Sequence, residues 1–301
     1  MSAASLLQIS SAFLVNACFA LVVGTLTARI WLQASAGQVR HAVVVGALHR
    51  IELAATGLAL AAVVLSFWAA AAVMMGGELG AAAAMIWTMA VQTGYGQAGL
   101  AGLTILVAVA GLSAFARRST TTDFASGLLL VAFAASRASV SHAGEGGMLT
   151  LNLAVEWVHL LLIALWLGGV AIAAWLVVPM AYSAIRPGLT INRYLTLLSH
   201  AATVALVGIF ATGVYNAWQR VGSVQNVMGN TYGTALLVKL AFIGLAVALG
   251  GYNKLYGFPA LMKSPVASRR VVAVLRVESF LLLGALAAAA VLTSQQPPMA
   301  M

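Results

Sequence analysis

The sequence predicts an all-α polytopic membrane protein, and three observations carry that prediction. Of 301 residues, 62% are hydrophobic and only 7% are charged, where a soluble domain carries roughly a quarter. The uncharged stretches are long enough to cross a hydrocarbon core as helices of about 20 residues, some eight times over. The Lys and Arg residues fall between alternate stretches rather than evenly along the chain. These numbers exclude a soluble globule, a disordered tail and a secreted disulfide scaffold. The one cysteine, Cys18, also excludes an intramolecular disulfide, a Cys cluster for metal and a Cys-x-x-Cys-His haem site. No phosphate-cradling Gly-x-x-x-x-Gly-Lys-Ser/Thr loop occurs, which excludes an ATP-driven pump built from this chain alone.

In chain order, the first expected span is Leu6 to Ala28. No Lys or Arg precedes it in Met1 to Gln8, so it lacks the positive region of a cleavable signal peptide and is expected to be a retained helix. The second is Val43 to Met74. The apolar segment Gly80 to Thr93 is too short to cross and is expected to be an interfacial or re-entrant helix. Tyr95 to Ala116 and Phe124 to Val140 follow as spans three and four, then Ala154 to Val178, Leu195 to Trp218, Tyr232 to Gly251 and Val272 to Thr293.

One set of connections holds Arg29, Arg40, Arg117, Arg118, Arg186, Arg193, Lys254, Lys263, Arg269 and Arg270, while the alternate set holds only Arg220. By the positive-inside rule the first set is cytoplasmic and both termini face outward. Short echoes between the halves suggest a duplicated four-helix bundle, divided as 1–150 and 151–301. Thr93-Gly-Tyr95-Gly96 matches Thr231-Tyr232-Gly233, and Ala55-Thr56-Gly57 matches Ala211-Thr212-Gly213.

An ionisable group inside a span costs about 2.5–3.5 kcal/mol on insertion scales, so each such residue needs a partner or a function. Spans four and five supply most of them, in Ser141-His142, Met148, Glu156 and His159. Glu156 and His159 are three apart and share a helix face. Imidazole is the commonest side-chain metal ligand, thioether suits Cu(I) and carboxylate suits Cu(II), so His142, His159, Glu156 and Met148 form a candidate outward-facing copper site. Against this, Arg137 could simply neutralise Glu156, and the two histidines could cap helix ends. A second pair, His49 and His200, lies toward the cytoplasmic side, where Glu52 and Arg50 beside His49 suggest a local ion pair. The alternative is haem b, held by His142 and His159 as an outer axial pair and by His49 and His200 as an inner one. Lys239 and Glu278 complete the buried-charge candidates.

The chain resembles the copper-resistance protein D (CopD) family of bacterial inner-membrane proteins. The resemblance rests on Ser141-His142-Ala143, His159 with Trp166-Leu167-Gly168-Gly169, Thr212-Gly213, Ala217-Trp218, Thr231-Tyr232-Gly233, Lys239-Leu240, Asn253, Pro259, Arg276, Glu278 and Pro297-Pro298. It is strongest over the C-terminal half. It implies a multi-pass inner-membrane protein that moves or handles copper together with a periplasmic CopC-like copper-binding partner. His142 and His159 match the family's typical histidines and become the preferred copper ligands; Glu156 and Met148 rest on the local argument only.

Overall fold

A computed structural model describes residues 2–33, 39–141, 150–182, 191–221 and 230–295, and every regular element among them is helical. The all-α membrane architecture expected from composition is therefore what the chain adopts. Ser and Thr side chains start many of the helices by accepting backbone N–H groups that would otherwise go unpaired in an apolar medium. Ser2 does so for α1 (Ala3–Leu32). The long α2 (Val39–Met74) returns, and a tight turn at Ala81–Met85 leads into α3 (Ile86–Gln92). Thr93 caps α4 (Gly94–Phe115), and Ser119 caps α5 (Thr120–Ser139) in a reciprocal box with Thr122. Thr150 caps α6 (Leu151–Ile172), which continues through a wide turn into α7 (Val178–Tyr182). Then come α8 (Asn192–Val221), α9 (Thr231–Tyr252) with its own wide turn into α10 (Phe258–Lys263), and α11 (Ser268–Thr293).

Among the described residues, seven helical stretches are long and apolar enough to cross a membrane. The fourth expected span is α5, whose 20 residues reach about 30 Å but include Asp123 and Arg137. It packs between α4 and α6 as a span would. The segment Ala81–Gln92 is a short apolar helix beside α2 and α4, too short to cross. Spans five and seven extend past the expected Val178 and Gly251, through the wide turns to Tyr182 and Lys263.

Those wide turns have a common cause. Proline lacks an N–H, and its ring presses on the carbonyl four residues back. Just ahead of Pro179 the Val178 N–H bonds the Ala173 carbonyl, and just ahead of Pro259 the Phe258 N–H bonds the Asn253 carbonyl, in both cases five residues back. The helix thus absorbs each proline as a π-bulge rather than a break. Each bulge follows a 22-residue α-helix, so α6 and α9 share a register in which His159 corresponds to Lys239.

α6, with its continuation to Tyr182, is the central helix: its most apolar stretch is mostly buried, whereas those of α8 and α9 are mostly not. Its closest neighbour is α1. A Cβ on Gly168 would fall on the Ala20 carbonyl and 2.9 Å from Gly24 N, so the two backbones touch where neither carries a side chain. The exposed apolar side chains, such as Val204, Val207, Phe210 and Trp218 on α8, form the outer surface expected to face lipid.

Candidate functional site

α6 presents Glu156, His159, Ile163 and Trp166 at spacings of three and four, which places them one above another on a single face. From Leu151 they descend along the helix, with His159 about 12 Å and Trp166 about 22 Å from its start. The first rung opens into a cleft of about 800 Å³ at the end of the bundle where α1, α4 and α6 begin and α5 and α11 end. Gln8, Asn16, Tyr95, Gln97, Arg137 and Glu156 contribute its polar lining. Glu156 is 8% exposed, and its Oε2 accepts from Asn216 Nδ2 on α8 at 2.9 Å.

One turn deeper, His159 Nδ1 lies 2.7 Å from Thr212 Oγ1. The Thr212 hydroxyl has one proton, which it donates to the Gly208 carbonyl at 2.6 Å. His159 Nδ1 must therefore be the donor, and in the neutral imidazole the lone pair sits on Nε2. This is the arrangement in which a partner on one ring nitrogen orients the other as a ligand. Below, His159, Ile209, Trp166, Lys239 and Leu282 line a cavity of about 40 Å³. At its floor Trp166 Nε1 donates to Glu278 Oε1 at 3.2 Å.

Not all expected contacts form. Arg137 makes no ion pair with Glu156; it lines the same cleft, and its Nε is buried without a hydrogen-bond partner. Among the described residues no three His, Cys, Asp or Glu side chains converge to hold a metal ion. His142 and Met148 lie outside the described residues, so the structure brings together two of the four expected copper ligands, Glu156 and His159, on one helix face.

The second histidine pair is placed differently from its expected role. Glu52 is 1% exposed and pairs with Arg29 at 2.6 Å and with Arg118 at 3.1 Å, not with its neighbour Arg50, which is exposed. Arg29, expected in a connection, is instead buried in the last turn of α1, where it also reaches Asp123 at 2.8 Å. Ser113 Oγ donates to Glu52 Oε1 at 2.6 Å. Charges in this medium find partners from other helices because leaving one buried and uncompensated is far costlier than ordering the set. His49 Nδ1 accepts from Arg118 NH2 at 2.6 Å, since a guanidinium can only donate. His200 is exposed on α8.

Sequence reasoning missed Thr212 and Asn216 as partners of His159 and Glu156, although both belong to a polar run on α8. It named Trp166 and Glu278 without joining them. The shared spacing of Pro179 and Pro259 was a legible sign that α6 and α9 correspond.

These features define a polytopic helical membrane protein with a ladder of polar side chains descending from a cleft at one face. Residues 192–292 match the family model described as Copper resistance protein D. Copper resistance protein D of Pseudomonas syringae pv. tomato is 29% identical over 180 residues, covering 58% of this chain and 58% of that relative, so the match spans less than two thirds of its length. No solved structure matches. The resemblance read from the sequence is borne out: residues 192–292, in the C-terminal half, are similar to the copper-resistance protein D family.

Proposed function

We propose that this protein transports or handles copper across the bacterial inner membrane, taking the ion as its substrate from the periplasmic side. The observation that carries this reading is the His159–Thr212 pair set directly beneath a cleft that Glu156 lines. The carboxylate attracts a cation at the mouth, and the imidazole, oriented by Thr212, offers its Nε2 lone pair one turn further in. His142 and Met148, in the sequence between α5 and α6, are the remaining proposed ligands. The basic connections at the opposite face support reading that face as cytoplasmic, and the cleft and both termini as periplasmic. There the cleft is the natural receiving point for a periplasmic CopC-like donor. Two four-helix halves, 1–150 and 151–301, meet along the α1–α6 seam and flank the ladder.

Metal analysis of detergent-purified protein tests this. Copper is expected to bind in a stoichiometric amount to the natural chain and to be lost in the His142→Ala/His159→Ala double variant. Unchanged binding overturns the site. A visible spectrum of the same sample gives no Soret band on this reading; a strong one in protein purified without added haem would favour the redox alternative.

A further inference from the structure

Among the described residues, Glu278 is a buried carboxyl that belongs neither to the copper ligand set nor, unlike Glu52 and Asp123, to an ion pair. It is 2% exposed on α11, and among the described residues no cation lies within 4.0 Å of it. Its one hydrogen bond is the indole of Trp166. On the other side it rests against bare backbone: a Cβ on Gly250 would come within 3.0 Å of Glu278 Oε1.

The charged and titratable groups around it are all engaged elsewhere or separated by the cavity. On its own helix, the Arg276 guanidinium stacks over the Trp175 ring at 4.6 Å. On α6 the nearest is His159, two rungs up the ladder. On α9, Lys239 lines the cavity, and past the helix end Lys254 Nζ donates to Thr203 on α8 at 2.8 Å. A carboxyl so placed cannot stay charged without a compensating positive charge, because the surrounding medium does not solvate it.

A second observation points the same way. Asn253 lies three residues past Gly250, on the same face of α9 and toward the basic end of the bundle. It is 1% exposed, and both its amide nitrogen and its oxygen are buried without hydrogen-bond partners. Buried amides are rarely left so, and this one offers a donor and an acceptor between Glu278 and the face bearing Lys254 and Lys263. Water seated there would link the carboxyl to that face.

We propose that Glu278 is a proton-binding site, reached past Asn253 and coupled through Trp166 to the His159 cavity, so that cargo cation and proton exchange at the foot of the ladder. When the site is empty of cargo, the carboxyl O–H bond is formed. As a cation descends past Trp166 that bond breaks, the proton leaves toward the basic face, and the carboxylate balances the arriving charge. No electron moves. The coupling rests on the copper reading above; the proton site does not.

Two measurements on full-length protein in lipid separate these. Infrared difference spectra across a pH titration should contain the carbonyl band of a protonated carboxylic acid that shifts in deuterated water, disappears in Glu278→Gln, and moves in Trp166→Phe as the indole donor is lost. Glu278→Gln keeps an oxygen for that indole and so preserves the packing. A band unchanged in Glu278→Gln overturns the proton site whatever the protein transports.

In vesicles with the membrane potential clamped, an imposed gradient of one pH unit should change copper accumulation about tenfold for one-for-one exchange, and have no effect in Glu278→Gln. Equal gradient dependence in both proteins overturns the coupling. Absence of copper movement in the natural chain overturns the transport reading and the coupling with it, while the infrared result still decides the proton site.

Discussion

Replacing Gly168 by Ala tests the contact that holds the ladder helix in place. At this position a Cβ would overlap the Ala20 carbonyl of α1 and lie 2.9 Å from Gly24 N, and reciprocally a Cβ on Gly24 would lie 2.8 Å from Gly168 Cα. All of these are backbone atoms, which cannot rotate aside as a side chain does. Restoring an ordinary separation of about 3.5 Å requires α1 and α6 to part locally by roughly 1–2 Å, which thins the dispersion contacts along the whole seam. Overpacking alone costs about 1–3 kcal/mol, so with the loosened seam Gly168→Ala should lose about 3 kcal/mol. Gly57→Ala is the control. Nothing lies within 4 Å of a Cβ there, and the better helix propensity of Ala, worth about 1 kcal/mol, should leave that variant as stable as the parent or slightly more so. Thermal unfolding in detergent, followed through the seven tryptophans, reads both. If Gly168→Ala melts with Gly57→Ala, the two backbones do not meet as described, and the placement of His159 against α8 loses its anchor.

Three further substitutions probe the polar groups. Thr212→Val removes the acceptor that orients His159 and should weaken copper affinity about 10–100-fold, as loss of a ligand's supporting hydrogen bond does elsewhere; Thr212→Ser should restore it, and a chelator competition giving wild-type affinity for the valine variant would remove Thr212 from the site. Glu52→Gln leaves Arg29 and Arg118 short of a buried counter-charge and should cost about 3–5 kcal/mol, read as a lowered melting temperature with copper stoichiometry intact. Arg137→Met breaks no ion pair, so stability should change by less than about 1 kcal/mol; a large loss on unfolding would mean that Arg137 does hold Glu156 after all.

Much of this was open to reading from the chain. Long uncharged runs, the alternation of basic connections and the Glu156–His159 spacing all depend on residues close in sequence, where helical periodicity alone decides which share a face. The expected pairing of Glu52 with Arg50 shows where that reasoning stops. Residues two apart on a helix point about 200° apart, so Arg50 turns outward while Glu52 turns in and meets Arg29 and Arg118. Arg137 failed as a partner for Glu156 for a related reason: proximity in depth does not set direction, and Asn216 from α8 had the shorter reach.

What the sequence determined unaided is therefore the medium, the helices and the polar face of each, because hydropathy and period act locally and need no partner. The tertiary structure alone decided which faces meet. Thr212 reaches His159 across 53 residues, Asp123 reaches Arg29 across 94, and Trp166 reaches Glu278 across 112. In so apolar an interior each polar group is worth satisfying only with a partner from another helix, and the choice among the few available is made by how closely the backbones pack, above all where Gly24 and Gly168 let α1 and α6 touch.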